Sequence, residues 1–361
     1  MKVSPAPALF DPNAAAAPES GVFGLPEDPQ GARVHVLGVP FDATTSFRKG
    51  AARGPAAIRA ASRQVDLFDA LNGRPYEAGI WMAPLAAEVV RWNEEASRAA
   101  EPVIEAGGVS PGGGNTDGRL QKAAERVGAL QMELNRWVEE RANEILDRGK
   151  LCALVGGDHS VPFGSIQAHA TRHPGLGVLH VDAHADLRPA YEGMTWSHAS
   201  ILRNVAERID GVAKIVQVGV RDFSEEEREF IAASKGRIET LYDLEWADAK
   251  HSGHNLKALV RRTIAALPEK VYVSFDVDGL EPALCPNTGT PVPGGFSWNE
   301  ANLWLDELVR SGRRIVGFDL NEVAPAAGVD DGSGWDENVG ARLLYRLIGF
   351  ALRSQAPGPR E

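Results

Sequence analysis

Apolar positions along this chain follow two patterns. Short unbroken runs occur in "ARVHVLGVPFD" (32–42), "LCALVGG" (151–157), "GLGVLHVD" (175–182), "KIVQVGVRD" (214–222), "KVYVSFDVD" (270–278) and "RRIVGFDLNEV" (313–323). Runs of this length, rich in Val, Leu and Ile and closed by Gly, Asp or Asn, predict strands buried on both faces. Between them the apolar residues recur three and four apart. Leu120, Ala123, Val127, Leu130, Leu134 and Val138 mark a long helix over Arg119–Arg148. Other helices are predicted near 160–172, 198–209, 224–235, 254–267, 299–311 and 338–353, and a Gly-punctuated loop with a short helix over 45–62. Strands alternating with helices predict a three-layer α/β/α fold with a mostly parallel central sheet, built as a single domain.

The ends of the chain read differently. Residues 1–30 are rich in Ala, Pro and Gly and lack periodicity, so they are expected to be a tail, either disordered or an oligomer arm. The α/β domain is expected over 31–354, followed by a short C-terminal tail over 355–361. The Gly-rich stretch "EAGGVSPGGGNTDG" (105–118) has no Gly-Lys-Ser/Thr ending and no apolar strand leading into it. It is expected to be a surface loop and not a phosphate cradle.

Composition narrows the function classes. With 43% hydrophobic and 24% charged residues in 361, the chain has the balance of a soluble globular protein. A net charge of -11 argues against a nucleic-acid surface. No stretch approaches the roughly 20 apolar residues that span a bilayer, and no leader pattern opens the chain. The expectation is a cytoplasmic protein with neither a nucleic-acid nor a membrane partner. The only two cysteines, Cys152 and Cys285, form no metal motif.

The chemistry gathers where strands end. In "HVDAHADLR" (180–188), Asp182, His184 and Asp186 stand two apart, so they leave one face at about 7 Å per step. The run at 151 ends in Asp158 and His159, the run at 270 in Asp276 and Asp278, and the last in Asp319 and Glu322. In parallel α/β sheets functional groups collect beyond the carboxyl ends of the strands. Unpaired carboxylates facing one another there would cost several kcal/mol for each desolvated charge. Lysines and arginines are scarce in these segments, Arg188 and Arg221 being the nearest. Two divalent cations would balance Asp182, Asp186, Asp276 and Asp278, with His159 and His184 as neutral ligands. Such a donor set, without thiolate, suits Mn(II), Co(II), Ni(II) or Zn(II).

"GGDHS", "DAHADLR" and "SFDVDGLEPALCPNTGTP" together resemble the three metal-binding signatures of the ureohydrolase superfamily, the arginases and agmatinases. The resemblance extends from about Gly38 to the C-terminus, and "GVPFDATTSFRKGAARGPAAIR" (38–59) is closest to the agmatinase branch. It implies two divalent ions per chain, Mn(II) in the first place and Ni(II) as the alternative. His159 and Asp186 would hold one ion, His184 and Asp278 the other, and Asp182 and Asp276 would bridge. Asp186 would also orient the nucleophilic water.

The same resemblance implies cleavage of a guanidino compound to urea and an amine. His198, in "GMTWSHAS", would shuttle a proton to the departing amine, and Glu322, in "FDLNEVAP", would pair with the guanidinium. The loop "LRPAYEGMTWSHAS" (187–200) has no Asn to hold an α-amino acid, and Trp196 is a candidate wall for a small cation. Agmatine or guanidinobutyrate is the expected substrate type. The alternative is a nickel-dependent hydrolase of guanidine or small alkylguanidines; an arginase, a deacetylase-like enzyme and an inactive structural subunit rank lower. A homo-oligomer, trimer or hexamer, follows from the resemblance alone.

Overall fold

The computed structural model describes residues 10–17, 19–109, 117–329 and 331–356. The described strands are β1 (Val34–Gly38), β2 (Ile80–Met82), β3 (Leu151–Val155), β4 (Leu176–Val181), β5 (Val212–Val220), β6 (Ile238–Tyr242), β7 (Lys270–Asp276) and β8 (Arg314–Asn321). They form one eight-stranded sheet in the order β2-β1-β3-β8-β7-β4-β5-β6. Every pairing in it is parallel. The helices are α1 (Gly54–Ala61), α2 (Ala87–Glu105), α3 (Gly118–Asp147), α4 (Phe163–Arg172), α5 (Ile201–Arg208), α6 (Glu225–Ala233), α7 (Asp243–His251), α8 (Leu256–Ile264), α9 (Trp298–Arg310) and α10 (Trp335–Gln355).

The two-residue alternation of each strand builds two cores. Leu151, Ala153 and Val155 of β3 face a core shared with α1, α7, α8, α9 and α10. Leu154 faces the opposite layer with α2 and α3, while α4 and α5 cover the neighbouring strands on that side. Both faces are buried, which is why the strands carry continuous apolar runs. The six predicted strands are all present.

The two strands without a predicted counterpart are β2 and β6, the edges of the sheet. β2 has three residues, and β6 reads "IETLY" with an exposed Glu239. Edges kept short and polar resist pairing with other chains, and so they carry little hydrophobic signal. The helices α2, packed on α3, and α7, beside the edge strand β6, have no predicted counterpart either.

Part of the segment expected as a tail packs instead. Val22, Phe23 and Leu25 are buried in the larger core, with Phe23 against the Tyr345 ring at 4.8 Å. The Phe23 N–H donates to Ser62 Oγ at 2.8 Å. Three large apolar residues within four positions anchor this stretch, although the surrounding Ala and Pro gave it no period. Residues 1–9 and 18 of the expected tail, 110–116 of the expected Gly-rich loop and 357–361 of the expected C-terminal tail lie outside the described residues. Among the described residues no helix is long and apolar enough to cross a membrane.

Candidate metal centre

Sheet order places β3, β8, β7 and β4 side by side, so the loops leaving the carboxyl ends of these four strands share one crevice. The residues they carry converge. His159 Nδ1 lies 2.9 Å from Asp182 Oδ2, 3.3 Å from Asp276 Oδ2 and 3.4 Å from Asp186 Oδ2. His184 Nδ1 lies 2.9 Å from Asp278 Oδ2 and 3.4 Å from Asp182 Oδ1. Asp182 thus turns one oxygen to each imidazole. All six predicted ligands come together in two adjoining groups.

Local backbone chemistry holds them there. Gly157 of "GGDHS" runs so close to β1's following loop that a Cβ would lie 1.8 Å from Phe41 O; only glycine lets the strand end approach. Asp186 and Glu322 are two of the few non-glycine residues in the left-handed region, at φ 54° and 64°. That conformation costs a side chain of order 1–2 kcal/mol and tends to persist where function demands it. The Asp278 N–H donates to Asp276 Oδ1 (2.8 Å), the Ala183 N–H to Asp278 Oδ1 (3.0 Å) and the His184 N–H to Asp182 Oδ1 (2.6 Å). Asp182, Asp276 and Asp278 therefore each have one oxygen fixed by backbone, and the other oxygen of each lies within 3.3 Å of His159 or His184 Nδ1.

The donor set calls for positive charge. Ser274 Oγ donates to Asp319 Oδ1 at 2.9 Å, so at 2.9 Å it accepts from His159 Nε2–H. That leaves the His159 Nδ1 lone pair facing three carboxylates, an arrangement that only a cation or a captured proton makes favourable. Burial, then the neighbouring carboxylates Asp278 and Asp182, push Asp276 well above the ordinary carboxylate range. Burial and Asp182 do the same to Asp186. Burial opposes charge on His159 and His184, yet the carboxylates they face hold both well above an ordinary imidazole. Asp182 is drawn down despite burial, by His180, His159 and His184. Four acids and two imidazoles gathered in this way fit two divalent cations, with no thiolate present.

His180 is a partner that the sequence reading passed over. It continues the same alternation one step towards the start of β4, and its Nε2 lies 2.9 Å from Asp182 Oδ2. Gln217 Nε2 donates to His180 Nδ1 at 3.1 Å, while Gln217 Oε1 accepts from Thr240 Oγ1 at 2.9 Å. His180 therefore carries its proton on Nε2 and gives it to Asp182, orienting that carboxylate from behind. Extending the i, i+2 pattern by one residue would have found it.

Beside the centre opens a cavity of ≈ 330 Å³ lined by His184, Asp186 and His198 together with Phe47, Arg48, Arg188, Tyr191, Asp222 and Glu227. Thr44 holds His198 in place: its Oγ1 accepts from the His198 N–H at 3.0 Å and donates to Asp158 Oδ2 at 2.7 Å. Burial, then the His184 charge, lower the His198 imidazole to about 4. Glu227 closes the capping box of α6 and accepts from the Leu187 N–H at 2.9 Å, which ties the loop after β4 to a helix start.

Two predicted residues sit elsewhere. Trp196 packs edge-on against Phe163 at 5.0 Å, with the Arg208 guanidinium over its ring at 5.0 Å. It is absent from the cavity lining. An amphipathic ring on a loop found an apolar layer and a cation within the fold. Glu322 is buried and outside the cavity lining; its Oε1 accepts from the His159 N–H at 2.9 Å, and among the described residues its Oε2 has no hydrogen-bond partner. Burial, then Asp276 and Asp158, raise it well above the ordinary range.

The profile of the Arginase family matches residues 32–349. N(1)-aminopropylagmatine ureohydrolase of Thermus thermophilus is 34% identical, covering 91% of this chain and 94% of the relative. Agmatinase of Bacillus subtilis is 31% identical over 87% of this chain and 91% of its own. Among solved structures, proclavaminate amidino hydrolase from Streptomyces clavuligerus superposes with a TM-score of 0.67 at 25% identity, covering 95% of this chain and all of that one.

Proposed function

This chain belongs to the Arginase family, and from that premise we propose that it cleaves an agmatine-type guanidino compound to urea and an amine at a binuclear metal centre. The observation that carries the reading is the His159 Nδ1 lone pair set against three carboxylates at the edge of a cavity. His159 and Asp186 would hold one cation and His184 and Asp278 the second, with Asp182 and Asp276 serving both. When bound, two such cations supply Lewis acidity and lower the pKa of the water they share. Mn(II) is the proposed metal, with Ni(II) as the alternative, in a trimeric or hexameric homo-oligomer.

The chain's own groups bind the substrate and move its protons. Glu322 pairs with the guanidinium through the Oε2 that is otherwise unpartnered, after the group enters from the cavity. His198, neutral near pH 7 because burial lowers it to about 4, accepts a proton from the attacking water and passes it to the departing amine. Asp222 lines the cavity and has no ion-pair partner among the described residues, which favours a substrate with a cationic tail. A second reading, guanidinobutyrate, draws on Arg48 and Arg188 in the same lining.

Urea release from agmatine, N-aminopropylagmatine, guanidinobutyrate, arginine and guanidine, measured separately after Mn and Ni loading, tests the proposal. Two metals per chain and fastest release from the aminoalkyl guanidines are expected. Protein that releases urea from none of them after either loading would overturn it.

A further inference from the structure

At the opposite end of the sheet, where β1, β3, β7 and β8 begin, a second cavity of ≈ 270 Å³ opens beside the last turns of α3 and α4. Arg33, Lys150, Arg172, Lys270, Arg314 and the His173 imidazole line it, and among the described residues no Asp or Glu does. In a chain of net charge -11, such a concentration of one sign is unexpected on composition alone.

Among the described residues only Arg172 of these cations has a carboxylate partner, Asp147 Oδ1 at 2.5 Å. Lys150 Nζ donates to the Gln30 carbonyl at 2.6 Å, and Arg33 to Gln355 Oε1 at 3.3 Å. Lys270 Nζ lies 3.4 Å from His173 Nδ1. Lys270 and Arg314 are direct register partners on β7 and β8, a like-charged cross-strand pair that disfavours the fold. Burial, then the charges of Lys270, Arg314 and Arg172, hold the His173 imidazole below its ordinary value.

Basic residues at helix C-termini answer the helix dipole, and that accounts for Arg172 at the end of α4. It does not account for Arg33, Lys270 and Arg314, which begin strands. Nor are the adjacent helix ends open, because the His173 N–H closes on His169 O and the Lys150 N–H on Ile145 O.

We propose that this cavity binds a small polyvalent oxyanion of the phosphate class, at a site a full strand length from the acidic centre. Guanidinium forks match tetrahedral oxyanions through paired hydrogen bonds, and the two ammonium groups add point charges. By linking the beginnings of four strands, the bound anion stabilises the folded chain.

Calorimetric titration of the metal-loaded full chain with inorganic phosphate, at ionic strength held constant with NaCl, tests this. A phosphomonoester and a dicarboxylate serve as further titrants. Saturable binding of phosphate or phosphomonoester, weakened at least tenfold in Lys270→Gln/Arg314→Gln, is expected, with urea release in phosphate-free buffer unchanged. Arg33→Gln, at an exposed rim position, should weaken binding as well and keeps the test intact if the double variant folds poorly. Absence of saturable binding, unchanged affinity in the variants, or saturable binding of the dicarboxylate alone would overturn the proposal. Phosphate seated on the metal centre would be recognised by its persistence in every variant.

Discussion

The two ends of the sheet carry opposite charge on the same strands. β7 begins at Lys270 and ends at Asp276; β8 begins at Arg314 and runs through Asp319 to Asn321, with Glu322 next in the chain. Lys150 precedes β3 and Asp158 follows it, while Arg33 precedes β1 and Asp42 follows it. Seven residues of parallel strand separate the signs by about 20 Å. Each end lies where the chain leaves the apolar layers, and there the likeness stops. At the acidic end the carboxylates are buried, fixed by backbone N–H groups and turned towards one another. At the basic end the side chains are half-buried or exposed, and among the described residues only Arg172 meets a carboxylate. Desolvation makes the first arrangement dependent on a bound cation, whereas water tempers the second.

That difference orders the expected effects. The largest is at the acidic end: Asp276→Ala or His159→Ala should lose bound metal and urea release together. The rate should fall on the order of 10³-fold or more, equivalent to about 4 kcal/mol of barrier. Metal analysis beside a steady-state assay reads both, and a metal-depleted variant that kept its rate would break the assignment. His198→Ala should keep both metals and lose turnover by about 10²–10⁴-fold. Full activity in that variant would remove His198 from the reaction.

Between the charged ends lies a neutral group that must stay neutral. His169 of α4 packs edge-on to Tyr272 at 5.0 Å, and a Cβ on Gly317 of β8 would lie 2.1 Å from its Nε2. Burial outweighs the Ser165 carbonyl hydrogen bond and lowers its imidazole from 6.5 to about 4. Over that interval the unfolded chain takes up a proton that the folded chain refuses. Its stabilisation is therefore intact above about pH 6.5 and is lost as the pH falls towards 4, by up to about 3 kcal/mol. Melting temperature should fall more steeply with acid in the wild type than in His169→Gln; equal slopes would show that His169 is not the group responsible.

The smallest effect belongs to the basic end. Lys270→Gln relieves the cross-strand repulsion with Arg314 and should raise stability to urea by about 0.5 kcal/mol at low salt. The gain should shrink as salt screens the pair. A loss of stability would mean that Lys270 is held by something other than its neighbours' charge.

Much of the acidic end was legible before the fold was known. Asp182, His184 and Asp186 announce themselves by two-residue spacing after an apolar run, and Asp276 and Asp278 repeat the device. What escaped were the groups that act across long separations. Thr44 grips His198 from 154 positions away, and Ser274 orients His159 from 115; neither pair leaves a short-range pattern. Trp196, packed against Phe163, makes a related point. Being on the right loop says nothing about which way a ring turns. Edge strands and the Val22–Leu25 anchor were missed because their hydrophobic signals are three or four residues long.

Local order along the chain was enough to determine the layered α/β class, the central strands and the candidate metal-ligating side chains that the fold gathers, because burial on two faces and alternation on one are written in neighbouring residues. Tertiary structure alone decided that β3, β8, β7 and β4 stand together, that Glu322 lies against His159 and that five cations meet at the far end. Those facts depend on crossovers that join segments more than a hundred residues apart, and the free energy that selects them comes from packing the whole sheet rather than from any one stretch.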